Sequence, residues 1–266
     1  MLTLTSIQLN AWLAAFLWPL TRILGLIAAA PVYGNASVPV PVKVLLGVLI
    51  CLAIAPAVPA GPALDPTSYA GLLILVQQLL IGLAMGFAMR IVFAAVEFAG
   101  EVASLTMGLG FATFFDPQTQ GRSSGISQFL ALVVTMVFLA ANAHLALIEA
   151  LAESFVRMPV APAPWSAAAP LELARWGAAI FASGFQLSLP IVAALLVTNI
   201  ALGILTRAAP QLNLFGIGFP ISLGVGLLVL SLALPYLTGP VQALFHQGLD
   251  TSRRLAQPVP AAALPR

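Results

Sequence analysis

Between Ser68 and Thr113 the chain runs without a proline, and without a charge before Arg90. One helix over that stretch would be about 65 Å long at 1.5 Å per residue, twice the ~30 Å hydrocarbon core of a bilayer. Such a rod has two choices. It bends, near Gly100 or Gly108-Leu109-Gly110, or it carries its charged half out of the membrane into an assembly. That half holds Arg90, Glu97 and Glu101, whose spacing puts all three on one narrow helical face. A charge at the bilayer centre costs about 2.5–3.5 kcal/mol on insertion scales. The stripe is therefore expected to face protein or water, as a buried ionic lock or along a conduit, and the chain offers it no obvious partner of its own.

The rest of the composition agrees. Of 266 residues 61% are hydrophobic and 7% charged, against about 25% charged in soluble domains. Too few polar residues remain to cover a solvated surface, so the sequence specifies an all-α integral membrane protein. A net charge of +2 from scattered basic residues gives nucleic acid nothing to bind. The single cysteine, Cys51, lies in an apolar run and is expected to pack as a small hydrophobe. The start, MLTLTSIQLNAW, has no Lys or Arg ahead of its apolar core, and Pro19 and Arg22 interrupt that core, so the first helix is expected to be retained.

About six stretches are apolar enough to be helices in or near a bilayer. The first is Leu9 to Ala30; the second, Val44 to Val58, is short enough for a half-span and closes at AVPAGPALDP. After the long proline-free run comes Ile126 to Leu151, leaving through Glu149, Glu153 and Arg157, of which the last two can pair at i,i+4. Leu171 to Thr206 has Pro190 near its centre, which predicts a kink. Leu212 to Leu237 is dense in glycine, at 216, 218, 224 and 226, which favours close helix packing. The reading is a single helical membrane domain over 1–250, broken by a plug-like segment at about 107–125, and a flexible tail over 251–266. The distribution of Lys and Arg favours a cytoplasmic tail.

Chemistry in the usual sense is nearly missing. His144 and His246 are the only histidines, with no HExxH spacing and no second thiol, so neither a metal nor a cofactor is expected, nor an enzyme. His144, beside Asn142, reads as a hydrogen-bonding contact between helices, and Ser183-Gly184 as a small pair easing helix approach. The most specific feature is the break. Met107, Gly108, Gly110, Phe111, Phe114 and Phe115 lead into Asp116-Pro117-Gln118, and Gly121 and Gly125 lead out. Irregular backbone at membrane depth persists only where protein or water satisfies it. At depth this segment would sit inside something, its aromatics obstructing a passage; outside, it would be a turn.

Four blocks in order carry a resemblance: WPLTRILGLIAAAPVYGNASVPVPVKVLLG, VEFAGEVASLTMGLGFATFFDPQTQGRSSGISQFL, LAANAHLALIEALAESF and TRAAPQLNLFGIGFPISLGVGL. Together they cover nearly the whole chain, which resembles the FliR family, membrane export-gate components of the flagellar type III secretion apparatus, and more distantly their injectisome counterparts. The resemblance implies one copy joined to several copies of FliP and FliQ in a spiral of helical hairpins around a narrow conduit, with FlhA and FlhB completing the gate, in the bacterial inner membrane at the flagellar basal body. It implies that Met107 to Gln120 supplies a plug, in which Met107, Phe111, Phe114, Phe115, Asp116, Pro117 and Gln118 are the gating residues. It places Arg207, Pro210 and Gln211 at a helix junction with a packing role. Gly121-Arg122-Ser123-Ser124 looks less typical of the family's loop. The function expected is to form and seal a conduit for unfolded export substrates. The rivals are a stand-alone secondary transporter for a small solute, with the charged stripe as its site, and a purely structural assembly scaffold.

Overall fold

The computed structural model describes residues 6–59, 61–62, 64–111, 124–162, 165–209 and 214–257, with side chains omitted at 6–13, 111, 214 and 215. Among the described residues the chain is all helical. The helices are α1 (Ser6–Ala29), α2 (Val40–Ile54), α3 (Tyr69–Thr106), α4 (Gly125–Ala140), α5 (Ala143–Arg157), α6 (Ala168–Ala208) and α7 (Phe219–Leu255). A 3-10 turn, Ala55–Ala57, closes α2, and a π turn, Leu214–Gly218, leads into α7. Four helices are long and apolar enough to cross a membrane, five if the pair on either side of Asn142 counts as one broken span.

The long run resolves as one unbroken helix. At 38 residues, α3 is about 57 Å long; Gly100 does not break it, and it stops only at Met107-Gly108, where Gly108 takes a φ of 87°. With α6 at 41 residues and α7 at 37, three helices exceed the ~30 Å hydrocarbon core, so part of each lies outside it. The most apolar window of α3 is 67% buried, whereas those of α2, α6 and α7 are 11%, 17% and 22%. α3 is thus core, and the other three present apolar flanks outward.

Three expectations need correction. The stretch from Ile126 to Leu151 is two helices, because Asn142 sits in the left-handed region at a φ of 54°. The last helix does not stop near Leu237 but passes Pro235 and Pro240 to Leu255. The tail expected to be loose from about 250 is therefore helical to that point, with Thr251, Ser252 and Leu255 buried; residues 258–266 lie outside the described ones. Each internal proline removes one backbone donor and presses its ring against the carbonyl four residues back, but the side chains beyond it still gain a packed environment. The kink predicted at Pro190 leaves the helical assignment of α6 uninterrupted.

The chain divides into two compact units, Met1–Ile91 with Asn142–Gly177 and Phe245–Arg266, and Val92–Ala141 with Ala178–Leu244. In the first, α1 lies against α2, where Gly47 faces Leu24. It lies closer still to α3: a methyl at Gly86 would stand 2.6 Å from the Leu26 carbonyl oxygen, and one at Gly25 would stand 2.7 Å from that of Leu79. Gly82 and Gly86 form a small-xxx-small pair of the kind that lets two backbones touch. Trp165 donates its indole N–H to the Leu255 carbonyl at 2.9 Å and Trp176 to that of Ala88 at 2.8 Å. The pairing of Glu153 with Arg157 is present at 3.0 Å, and Glu153 also meets Arg253 at 3.3 Å, while Arg254 pairs with Glu172 at 2.8 Å.

In the second unit, α3, α4, α6 and α7 pack around Val96, Ala99, Leu130, Ile191 and Leu230. Edge-on ring pairs, Phe93 with Phe138 and Phe98 with Phe181, have centroids 5.4 and 5.3 Å apart. Such pairs add about 0.5–1.5 kcal/mol beyond the area they bury.

Candidate gating site at the end of α3

The second unit brings the start and finish of the break to one place. At the start, Thr106 turns its hydroxyl back onto the carbonyls of Val102 and Ala103 at 3.0 and 2.8 Å, and the helix ends. Met107 is fully buried, and its side chain lies where a Cβ at Gly226 of α7 would be, 2.6 Å from both Cγ and Cε. The absence of a side chain at Gly226 is what admits Met107. A flexible thioether suits an irregular notch of this kind.

At the finish, Ser124 caps α4 by accepting from the Ser127 N–H at 3.2 Å. Its own N–H donates to Glu101 Oε1 at 2.7 Å. In a capping box the acid that reaches back to the cap's N–H sits three residues further along the same helix; here it comes from α3. A carboxylate at a helix N-terminus also meets the positive end of the dipole. Ser127 donates to the Glu97 carbonyl at 2.9 Å, and the Ser127 backbone lies so close to Gly100 that a Cβ there would stand 2.5 Å from its Cα. Both ends of the segment are thereby fastened within a few turns of α3.

The charged stripe separates into different environments. Arg90 and Glu97 are exposed and Glu101 is half-buried. The expectation that the stripe has no partner inside the chain fails for Glu101 and for Glu97, both of which are engaged within the chain. Of the plug residues, Met107 is placed as above, and the backbone of Phe111 ends a 3-10 turn, Leu109–Phe111; Phe114, Phe115, Asp116, Pro117 and Gln118 lie outside the described residues. Arg207 is exposed in the last turn of α6, where a cation complements the dipole; Pro210 and Gln211 also lie outside the described residues. Replacing Glu101 by alanine should strand the Ser124 N–H at a cost of about 1–2 kcal/mol. The readout is amide exchange over 124–128, which should quicken; unchanged protection there would remove Glu101 as the cap.

Residues 13–248 match the family model for bacterial export proteins, family 1. The chain belongs to that family. It is 44% identical to the flagellar biosynthetic protein FliR of Pectobacterium carotovorum over 94% of its own length and 95% of that protein's. It is 41% identical to that of Escherichia coli over 93% and 94%, and 29% identical to that of Bacillus subtilis over 91% and 94%. A member of this family with these helices is a membrane-embedded export component and not an enzyme. Among the described residues no three of His, Cys, Asp and Glu stand close enough to hold a metal.

Sequence reasoning missed a second polar site, in the first unit of this export protein. Arg22 of α1 is fully buried, and among the described residues it forms no salt bridge. Its Nε donates to Gln78 Oε1 at 2.7 Å, Nη1 to Ser154 Oγ at 3.1 Å and Nη2 to the Met158 carbonyl at 3.0 Å, and its guanidinium lies 4.3 Å from the centre of the Phe155 ring. Met158 is the C-terminal cap of α5, so Arg22 places a cation at that helix's negative end. Neutral acceptors and a ring face replace the missing carboxylate. The signal in the sequence was Arg22 itself: a charge in an apolar helix must be matched somewhere.

Proposed function

We propose that the chain works in the flagellar type III export apparatus, in the bacterial inner membrane at the basal body, as the subunit that closes the conduit for unfolded substrates when no substrate is present. Its partners in this reading are FliP and FliQ, in a spiral of helical hairpins, with FlhA and FlhB around them. The observation that supports the closing role is the fixed base of the break: Met107 is lodged against Gly226 at one end, and Ser124 is held by Glu101 at the other. A segment clamped at both ends to packed helices is suited to blocking a passage and returning after displacement. Phe111, Phe114 and Phe115 then fill the constriction while Met107 anchors its base, and an arriving polypeptide pushes the segment aside. Deleting 109–118, which spares the Met107 anchor, should leave the complex assembled but leaking small ions. An equally tight gate after the deletion would end the plug reading.

Arg90 and Glu97 are exposed on an otherwise apolar helix and in this reading meet other subunits, as Arg207, Pro210 and Gln211 do at the helix junction. Arg90→Leu should lower recovery of the whole complex while leaving the single chain's level in the membrane unchanged; undiminished recovery would free Arg90 of that role. Neither a stand-alone transporter nor a passive scaffold draws support from the family to which the chain belongs.

A further inference from the structure

In the second unit the final turns of α3 lie against α6, α4 and α7, and at each approach a glycine makes room. A Cβ at Gly184 of α6 would stand 2.5 Å from the Ala95 carbonyl oxygen, and one at Gly100 would stand 2.5 Å from the Ser127 Cα of α4. In both places backbone meets backbone, so the grip opens only if two helices part. The third approach is of another kind. At Gly226 of α7 the three atoms nearest a Cβ are Cγ, Cε and Sδ of Met107, at 2.6, 2.6 and 3.0 Å. An unbranched thioether leaves such a seat by turning its own side-chain torsions. Every helix stays in place.

The seat itself is held from both sides. Ser222, one turn before Gly226, donates to Asn199 Oδ1 of α6 at 3.3 Å, and Leu230, one turn after it, is buried. Glycine is a poor choice for a helix interior, where alanine forms helix better. Gly224, two residues earlier, has nothing within 4 Å of its would-be Cβ, whereas at 226 the missing methyl has an occupant. Met107 also stands at the root of the break: α3 ends at Thr106, and Gly108 takes its left-handed φ of 87° directly after it.

We propose that Met107 and Gly226 form a releasable latch: the thioether seated on the bare helix holds the segment shut, and its rotation off the seat lets the segment swing away. Gly226 is then a positioning residue that acts on the conduit only through Met107. The latch rests on the closing role proposed above and adds to it what sets the ease of opening.

The test uses the whole complex in membrane vesicles and reads small-ion leak, substrate export and recovery of the complex. Gly226→Ala puts a methyl into the seat and should raise the leak about tenfold, equivalent to ~1.4 kcal/mol of closing free energy. Export and recovery should hold at the wild-type level. A purely structural role would lower export and recovery together, and that pattern would overturn the latch. Gly224→Ala should leak no more than the wild type; equal leaks at 224 and 226 would also overturn it. Met107→Ala empties the seat from the other side without crowding it, so its leak should rise by a similar factor even if Gly226→Ala is not recovered. A tight gate in Met107→Ala would end the proposal. The double variant should leak no more than either single one, because the two residues act through one contact, and leaks that multiply would count against it. Deletion of 109–118 separates the latch from the reading beneath it. A leak after that deletion, with Gly226→Ala and Met107→Ala both tight, ends the latch and keeps the closing role; a tight gate in all three ends both.

Discussion

Gly82→Val is expected to remove most of the protein from the membrane fraction and to depress the thermal stability of what remains. A Cβ at Gly82 would run into the Arg22 carbonyl of α1 and stand 2.9 Å from the Leu26 N–H nitrogen. Both are backbone atoms, so no change of rotamer relieves the overlap, and α1 and α3 must move apart. Fully buried side chains on both helices, Ile23, Leu26, Ile27, Ile81, Met85 and Met89, then lose contacts at once. Between helices in lipid such contacts are the main source of association, because the hydrocarbon offers no hydrophobic drive. The cost should exceed the ~1–3 kcal/mol typical of overpacking against movable side chains. Gly203 provides the control, since nothing lies within 4 Å of its would-be Cβ and valine there should be tolerated. Equal losses at 82 and 203 would show that the close approach of α1 and α3 does not govern stability.

Arg22→Met should come next in severity. Methionine approximates the length of the side chain but donates nothing, so the Gln78 amide oxygen and the Met158 carbonyl lose their donor. Ser154 fares better because it still donates to Leu151 at 2.6 Å. At about 1–3 kcal/mol for each of the two buried groups left unsatisfied, the loss is about 2–6 kcal/mol, a large share of a total stability of about 5–15 kcal/mol. Lysine should not rescue it, because a single ammonium cannot span three acceptors as a planar guanidinium does. The combined variant Arg22→Met, Gln78→Leu, Ser154→Ala should recover part of the loss, since apolar replacement of a whole buried polar group is often near neutral. Unfolding in detergent, followed by tryptophan fluorescence, measures the series. A triple variant weaker than Arg22→Met alone would mean that the cluster acts through shape and not through its hydrogen bonds.

The Arg22 cluster and the clamp at the end of α3 share a physical plan. Arg22 supplies a cation to the end of α5, and Glu101 supplies a carboxylate to the start of α4. In each case a helix terminus whose cap would normally be local is completed from another helix. Water can satisfy the end of a helix in a soluble protein. Away from water an uncapped terminus keeps its full desolvation cost, so ionic side chains rooted in apolar helices become its partners. Asn142 fits the same economy of means: its left-handed backbone ends one helix and begins the next with neither glycine nor proline, a conformation asparagine tolerates better than most residues.

What the sequence determined by itself was the solvent and the local order. Composition demanded a bilayer, the absence of proline from 68 to 113 allowed a single long rod or a bend at Gly100 or Gly108–Gly110, and proline-rich joints marked most of the remaining boundaries. The four blocks in order were enough for the family, and an i,i+4 spacing was enough for Glu153 with Arg157. These are properties of neighbours, and helical periodicity carries them. Prolines misled where packing beyond them outweighed one missing donor, so the end of α7 was misread. Only the tertiary structure decided which distant groups meet: Glu101 with Ser124 across 23 residues, and Arg22 with Gln78, Ser154 and Met158 across 56, 132 and 136. No local pattern encodes such pairs, because what selects them is the close approach of helices at Gly82, Gly86, Gly100 and Gly226, and a glycine in a sequence does not say which backbone will come to lie against it.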